Sequence, residues 1–205
     1  MASLHVIHNP VVDTALEHRM TMAANHPWLD DDASPLLLGV GRLTEQKDFA
    51  TLIRAFAQVH ARQPSRLLII GEGEQRDSLS DLARELDVSA CVDLAGFKPN
   101  PLPFMTKARL LVSSSRWEGF GNVLVEALCC GTPVVSTDCP HGPREVLADG
   151  RFGRLVPVGD ATALADAILD SLDDRPCTRD LQDRGRHFSI EASGDRYLQV
   201  MGLTD

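Results

Sequence analysis

The chain has 205 residues, 43% of them hydrophobic, which is enough for one sizeable core and about one to one and a half domains. Acidic residues outnumber basic ones 29 to 20, for a net charge of −9, so a general electrostatic attraction to nucleic acid or anionic lipid is disfavoured and any anionic ligand must be met by local positive charge. The five cysteines have no CxxC spacing, and the adjacent pair Cys129-Cys130 lies in a helical pattern unsuited to a disulfide or zinc framework, which fits a reducing cytoplasm.

The start, "MASLHVIHNPVVDTALEHRM", has no basic region followed by an apolar run, and nowhere do eighteen apolar residues follow one another, so neither a targeting nor a membrane-spanning segment is expected. His5 and His8 are the only close histidine pair and have no Cys, Asp or Glu beside them, so no metal site is expected. The run Asp30-Asp31-Asp32 reads as a solvated loop before the first strand.

From residue 35 onward, short β-rich runs alternate with amphipathic segments, the pattern of βα units around a parallel sheet. "PLLLGVGRL" (35–43) reads as a buried strand, and residues 48–63 as a helix with Phe49, Leu52, Ile53, Phe56 and Val59 on one stripe. "SRLLIIGEG" is a second strand, "EQRDSLSDLARELDV" a helix, "CVDLAGF" a third strand, "PLPFMTKA" a short helix opened by proline, and "ARLLVSSS" a fourth strand. A helix over about 121–130 ends at Gly131 with Pro133 beyond it, followed by the strand "PVVSTD". "GPREVLADG" is a short helix, "GRLVPVGD" a last strand, and residues 160–174 a helix with Asp160 as N-cap. The remainder predicts one or two terminal helices. Six strands with intervening helices imply a doubly wound α/β domain, in which ligands sit at the carboxyl ends of the strands.

Those strand ends direct attention to four loops. "GVGRLTEQKD" carries Gly39 and Gly41, which permit close backbone approach, and the cations Arg42 and Lys47 where a diphosphate would suit; the alternative is two surface cations beside a turn. Neither this loop nor "GEGEQRD" completes GxGxxG, since Thr44 and Arg76 occupy the third glycine position, and no GxxxxGK[ST] occurs. The glycines of "GEGEQRD" are read as serving the turn alone. "AGFKPNP" offers Phe97 and main chain around Lys98 to a planar base.

In the fourth loop, "SSSRWEGFGNVLVEALCCGTPVV", Glu118 and Glu126 stand eight positions apart across a glycine-rich bend. Gly119 and Gly121 free backbone N–H groups at a helix start. Glu126 lies among Val123, Leu124, Val125, Ala127 and Leu128, so it is either a buried carboxylate needing hydrogen-bond donors or a residue on the solvent face. Two carboxylates near a sugar suit a glycosidase. Hydrolysis has no use for Arg42 and Lys47, however, whereas a departing diphosphate requires such cations.

Taken in order, "GRLTEQKDFATLIRAF", "LLIIGEGEQRDSL", "LAGF", "SSSRWEGFGNVLVEALCCGTPVVSTD", "GPREVL" and "GRLVPVGDATALADAI" resemble the C-terminal, donor-binding domain of family 4 retaining glycosyltransferases of the two-Rossmann-domain (GT-B) type. The resemblance covers about residues 34–174 and implies a single Rossmann-like domain there, a connector-like segment over 1–33 that includes "HVIHNPVV", and a helical extension over 175–205. It also implies roles. Arg42 and Lys47 would hold the donor diphosphate with no metal required, and Glu118 would meet donor-sugar hydroxyls. Gly41 and the bend Gly119-Phe120-Gly121-Asn122 would lay backbone against sugar and phosphate, Glu126 would accept from ribose hydroxyls, and Phe97 and Lys98 would flank the base.

The family transfers sugar from a nucleotide donor with retention, by front-face attack in which the leaving phosphate helps take the acceptor proton. "CPHGPREVL" resembles members that build bacterial surface or lipid-linked glycans, often from UDP-sugars, at the inner face of the membrane. Family members also carry an N-terminal acceptor-binding domain for which this sequence has no counterpart, so a partner half is expected, and the face it would cover could drive self-association. Two other readings stay open: a non-catalytic nucleotide-sugar-binding subunit that completes a site with a separate acceptor chain, or a GT-B-type epimerase or phosphorylase.

Overall fold

A computed structural model describes residues 7, 10–30, 34–174 and 176–203. His5, His8, Asp31 and Asp32, and with them half of the proposed connector motif "HVIHNPVV", lie outside the described residues.

Six parallel strands form one sheet: β1 (Leu36–Val40), β2 (Arg66–Ile70), β3 (Val92–Leu94), β4 (Leu110–Ser113), β5 (Val134–Thr137) and β6 (Arg154–Val156). Strands covered on both faces read as unbroken apolar runs, and here the side-chain period of two divides each run between two cores. Leu37, Leu67, Ile69, Leu110, Val112 and Val135 face one core, with α2 (Phe49–Arg62), α3 (Arg76–Glu85) and α7 (Ala161–Asp173). Leu36, Leu38, Leu68, Ile70, Leu111 and Val134 face the other, with α1 (Leu16–Met20), α4 (Leu102–Lys107), α5 (Asn122–Cys129), α6 (Pro143–Val146) and α8 (Thr178–Arg186). The doubly wound architecture expected from the alternation is therefore the one found. The expected caps also form: Asp160 Oδ1 accepts from the N–H groups of Thr162 and Ala163 at 3.1 and 2.9 Å, and Gly131 closes α5 at φ 73°.

Segments that precede and follow the sheet in sequence are built into the second core, the later one through Leu181 and Phe188. Val12, Leu16 and Leu29 are buried there, and Val12 pairs with Ser189 ahead of α9 (Ile190–Val200). Gly185 of α8 packs so closely on α5 that an added Cβ would stand 2.4 Å from Cys129 Sγ.

The strand order is β3-β2-β1-β4-β5-β6. Chain direction across the sheet reverses between β1 and β4. Two loops leave that point on opposite sides and open a crevice at the carboxyl ends of the strands.

Candidate functional site

The loop after β1 and the loop after β4 meet across this crevice. Lys47 Nζ lies 2.5 Å from Glu118 Oε1, and Ser115 Oγ donates to the same oxygen at 2.6 Å. Glu118 is 8% exposed, and a carboxylate so buried needs such donors. No described residue bonds its Oε2, which stays available as an acceptor. Further bonds stitch the loops together: Arg116 N–H to Gln46 C=O at 2.8 Å, Gln46 Nε2 to Trp117 C=O at 3.0 Å, and Ser114 Oγ to Lys47 C=O at 2.8 Å.

Asp48 anchors the first loop. It caps α2 through Thr51 N–H at 3.3 Å, takes Thr51 Oγ1 at 2.9 Å, and pairs with Arg116 Nε at 3.1 Å. Its own backbone is left-handed, φ 47°, a costly conformation for a non-glycine residue and one that persists only where surrounding contacts enforce it. Sequence reading missed Asp48, Gln46, Ser115 and Arg116. An Asp just before a helical stripe signals a cap, but its bond to the second loop spans 68 positions and has no local signature.

Around this pair the other expected residues fall as follows. Gly41 lies under Lys47, where a Cβ would stand 2.9 Å from Lys47 Cε, so the missing side chain gives the lysine its path. Arg42 is exposed and makes no ion pair or side-chain hydrogen bond with any described residue. Gly121 is the left-handed N-cap of α5, φ 86°, and its carbonyl accepts from Leu124 N–H at 2.9 Å; no side chain caps the helix, which leaves the amides of exposed Asn122 and of Val123 open. Gly119 differs from it: its φ is not positive and an added Cβ would meet no atom within 4 Å. Phe120 turns its ring to Phe188, centroids 5.4 Å apart, and docks the bend on the fold. Phe97 is 70% exposed at the end of β3, next to Lys98.

Glu126 sits apart from this network. No described residue makes a hydrogen bond with its side chain, burial pushes its carboxyl pKa up from the ordinary value, and Arg19 pulls it part of the way back. Burial also holds the neighbouring thiols protonated, Cys129 at about 11 and Cys130 at about 12. Among the described residues no group of three or more His, Cys, Asp or Glu is placed to hold a metal ion, and no helix is long and apolar enough to cross a membrane.

A cavity of about 530 Å³ lined by Trp28, Lys107 and Arg109 lies at the opposite edge, by the amino ends of β1, β4 and β5. A larger cavity, about 700 Å³, is lined by Asp138, Cys139, His141 and Arg144 just beyond the carboxyl end of β5, so the larger volume and the sheet topology point to the same edge. The chemistry supports topology, because the cations, the open amides and the unpartnered carboxylate oxygens gather at the carboxyl edge.

Comparison with known proteins bears on the family and the fold. Residues 25–188 match the model of the family described as glycosyl transferases group 1. The lipopolysaccharide core biosynthesis glycosyltransferase LpsE of Rhizobium meliloti (strain 1021) is 38% identical over 186 residues, covering 88% of this chain and 54% of that protein. An N-acetylgalactosamine-N,N'-diacetylbacillosaminyl-diphospho-undecaprenol 4-alpha-N-acetylgalactosaminyltransferase of Campylobacter jejuni is 40% identical over 138 residues, 67% of this chain and 37% of that one. The chain therefore spans about half, or less, of the length of these curated relatives. The structure of Anabaena Alr3699/HepE in complex with UDP and glucose superposes with a TM-score of 0.75 at 23% identity, covering 83% of this chain and 49% of that one.

Proposed function

The chain belongs to the glycosyl transferases group 1 family, and from that membership we propose that it binds a nucleotide-sugar donor, a UDP-sugar, in the crevice between β1 and β4 and serves as the donor half of a sugar transfer with retention. The observation that carries the reading is the Lys47–Glu118 pair at 2.5 Å, placed where the sheet reverses direction. Unpaired Arg42 stands on the same loop.

In this reading Arg42, Lys47 and the open amides of α5 meet the diphosphate, and they act most strongly as negative charge develops on the leaving group. No metal is required for that. Glu118 already accepts from Lys47 and Ser115 on Oε1, so Oε2 takes a donor-sugar hydroxyl without rearrangement of the loop. Gly119 leaves the space through which sugar and phosphate approach the backbone, Phe97 stacks on the base with Lys98 beside it, and Glu126 accepts from the ribose. The leaving phosphate takes the acceptor proton. The named relatives act in lipopolysaccharide core biosynthesis and on an undecaprenol-linked glycan, and this chain is assigned to the same broad role, bacterial surface or lipid-linked glycan synthesis. Because it spans half the length of those relatives, the acceptor site is assigned to a further domain or a separate subunit.

Calorimetry with UDP, GDP and ADP tests the reading. Binding of UDP, lost in Arg42→Ala, supports it; no binding of any of the three by the wild-type chain overturns it.

A further inference from the structure

We propose that the cavity beyond the carboxyl end of β5 is a subsite for the sugar that accepts the transferred group, with His141, Arg144 and Asp149 holding its hydroxyls beside the donor sugar. The inference rests on the donor-binding reading above and extends it to the acceptor. The acceptor site assigned to a further domain or subunit then has one wall on this chain.

The strand order carries the position. The residues assigned to the donor follow the sheet edge as the donor's own groups follow one another: Phe97 after β3 for the base, Arg42 and Lys47 after β1 for the diphosphate, Glu118 after β4 for the sugar. The next strand in that order is β5, about 5 Å farther along. The cavity of about 700 Å³ opens at its end, next to the place of the donor sugar and beyond the last group of the donor.

Two contacts join this cavity to the bend of Glu118. Glu118 N–H donates to Pro140 C=O at 3.3 Å, and Gly142 lies so close that an added Cβ would stand 1.9 Å from the Phe120 carbonyl oxygen. His141, between these two anchors, lines the cavity and is exposed. Its backbone is left-handed, φ 64°. Glycine would take that conformation without steric cost, so the turn itself has no need of a histidine, and strained backbone of this kind gathers at ligand sites.

The groups in the cavity select the ligand. Asp138 takes the Arg144 guanidinium through both oxygens, from Nε at 3.2 Å and from Nη2, and Asp149 Oδ1 takes Nη1 at 3.5 Å. The guanidinium is thereby fixed in place with N–H donors to spare. No described residue bonds Asp149 Oδ2 or either nitrogen of the His141 ring. With Glu145, the walls carry three carboxylates against one guanidinium and one imidazole, which repels a phosphate or other anion. Hydroxyl groups both donate and accept, and so match carboxylate acceptors, guanidinium donors and an imidazole that in its neutral form offers one of each. An uncharged, hydroxyl-rich sugar fits this set.

The test is a ¹⁵N NMR titration of the full chain with the methyl glycosides of glucose, galactose, mannose and N-acetylgalactosamine, each alone and with UDP present, and with inorganic phosphate. Wild type is compared with His141→Gly and Asp149→Asn. Glycine and asparagine both tolerate left-handed backbone, so the loop keeps its course. At least one glycoside should give saturable shifts at His141, Arg144 and Asp149 without displacing UDP. Each variant should weaken that glycoside about tenfold, the loss of one hydrogen bond to a fixed group, and leave UDP affinity, read by calorimetry, unchanged.

UDP binding by wild type with no glycoside shifting these three residues overturns the inference and leaves the donor reading standing. Glycoside affinity unchanged in both variants overturns it as well, and so do larger shifts of the three residues by UDP or inorganic phosphate than by any glycoside. Absence of UDP binding by wild type overturns the donor reading and, with it, the acceptor role of the cavity.

Discussion

The two carboxylates of the bend and its helix, Glu118 and Glu126, meet opposite surroundings. Glu118 is bonded by Lys47 and Ser115 before any ligand arrives, inside a pair of loops joined by backbone and side-chain bonds. Glu126 is half-buried, no described residue donates a hydrogen bond to its side chain, and its charged form is opposed by desolvation. The difference separates two settings of an acid: one closes the architecture of the crevice and keeps an oxygen spare, the other has no hydrogen-bond donor among the described residues.

The largest effect should come from opening the built side of that comparison. Lys47→Ala leaves Glu118 buried with one of its two donors, and removing one partner of such a pair costs about 3 kcal/mol. For a chain of this size the melting temperature then falls by on the order of 10 °C, and nucleotide binding is lost with it. The double variant Lys47→Ala/Glu118→Ala should be less destabilised than the sum of the single ones, because no orphan charge remains. Additive losses would mean that the pair does not hold the two loops together.

On the unsatisfied side the sign reverses. Burial holds the folded-state pKa of Glu126 above its ordinary value, so the stability linked to this group is fully present below the unfolded pKa and is lost as pH rises through the folded one. Glu126→Gln should therefore raise the melting temperature at pH 7.5, by about 2–4 °C for each kcal/mol recovered, leave it nearly unchanged at pH 4, and weaken nucleotide binding. Thermal melts at the two pH values read this directly. A variant that is less stable at pH 7.5 would place Glu126 among the structural acids with Glu118.

The smallest effect on stability distinguishes the two glycines of the bend. Gly121 sits at φ 86° with Leu124 Cδ1 3.2 Å from an added Cβ, so Gly121→Ala should cost about 1 kcal/mol or more. Gly119→Ala meets no atom within 4 Å and should leave stability within about 0.5 kcal/mol, yet reduce UDP affinity by filling the approach to the backbone. Denaturant melts paired with calorimetry decide it. Unchanged affinity in Gly119→Ala would remove that glycine from the site.

The doubly wound sheet was legible because the strands are apolar runs bounded by turn residues and the long helices carry an apolar stripe, with end signals such as Asp160 at the start of α7 and Gly131 after α5. The E-x7-E spacing, with Arg42 and Lys47, pointed to the same sheet edge. The contacts that complete the crevice were not legible. Lys47 and Glu118 are 71 positions apart, and nothing local in either loop announces the other. The left-handed backbone of Asp48 results from tertiary contacts, and so does the burial of Val12 and Leu16 in a segment that reads as a connector.

The most direct test of the account is a UDP titration of the ¹⁵N-labelled chain followed by two-dimensional NMR. Shifts concentrated at Gly41, Arg42 and Gly119 through Asn122 are predicted. Shifts confined to Trp28, Lys107 and Arg109 at the opposite edge of the sheet, or none at any residue, would contradict it.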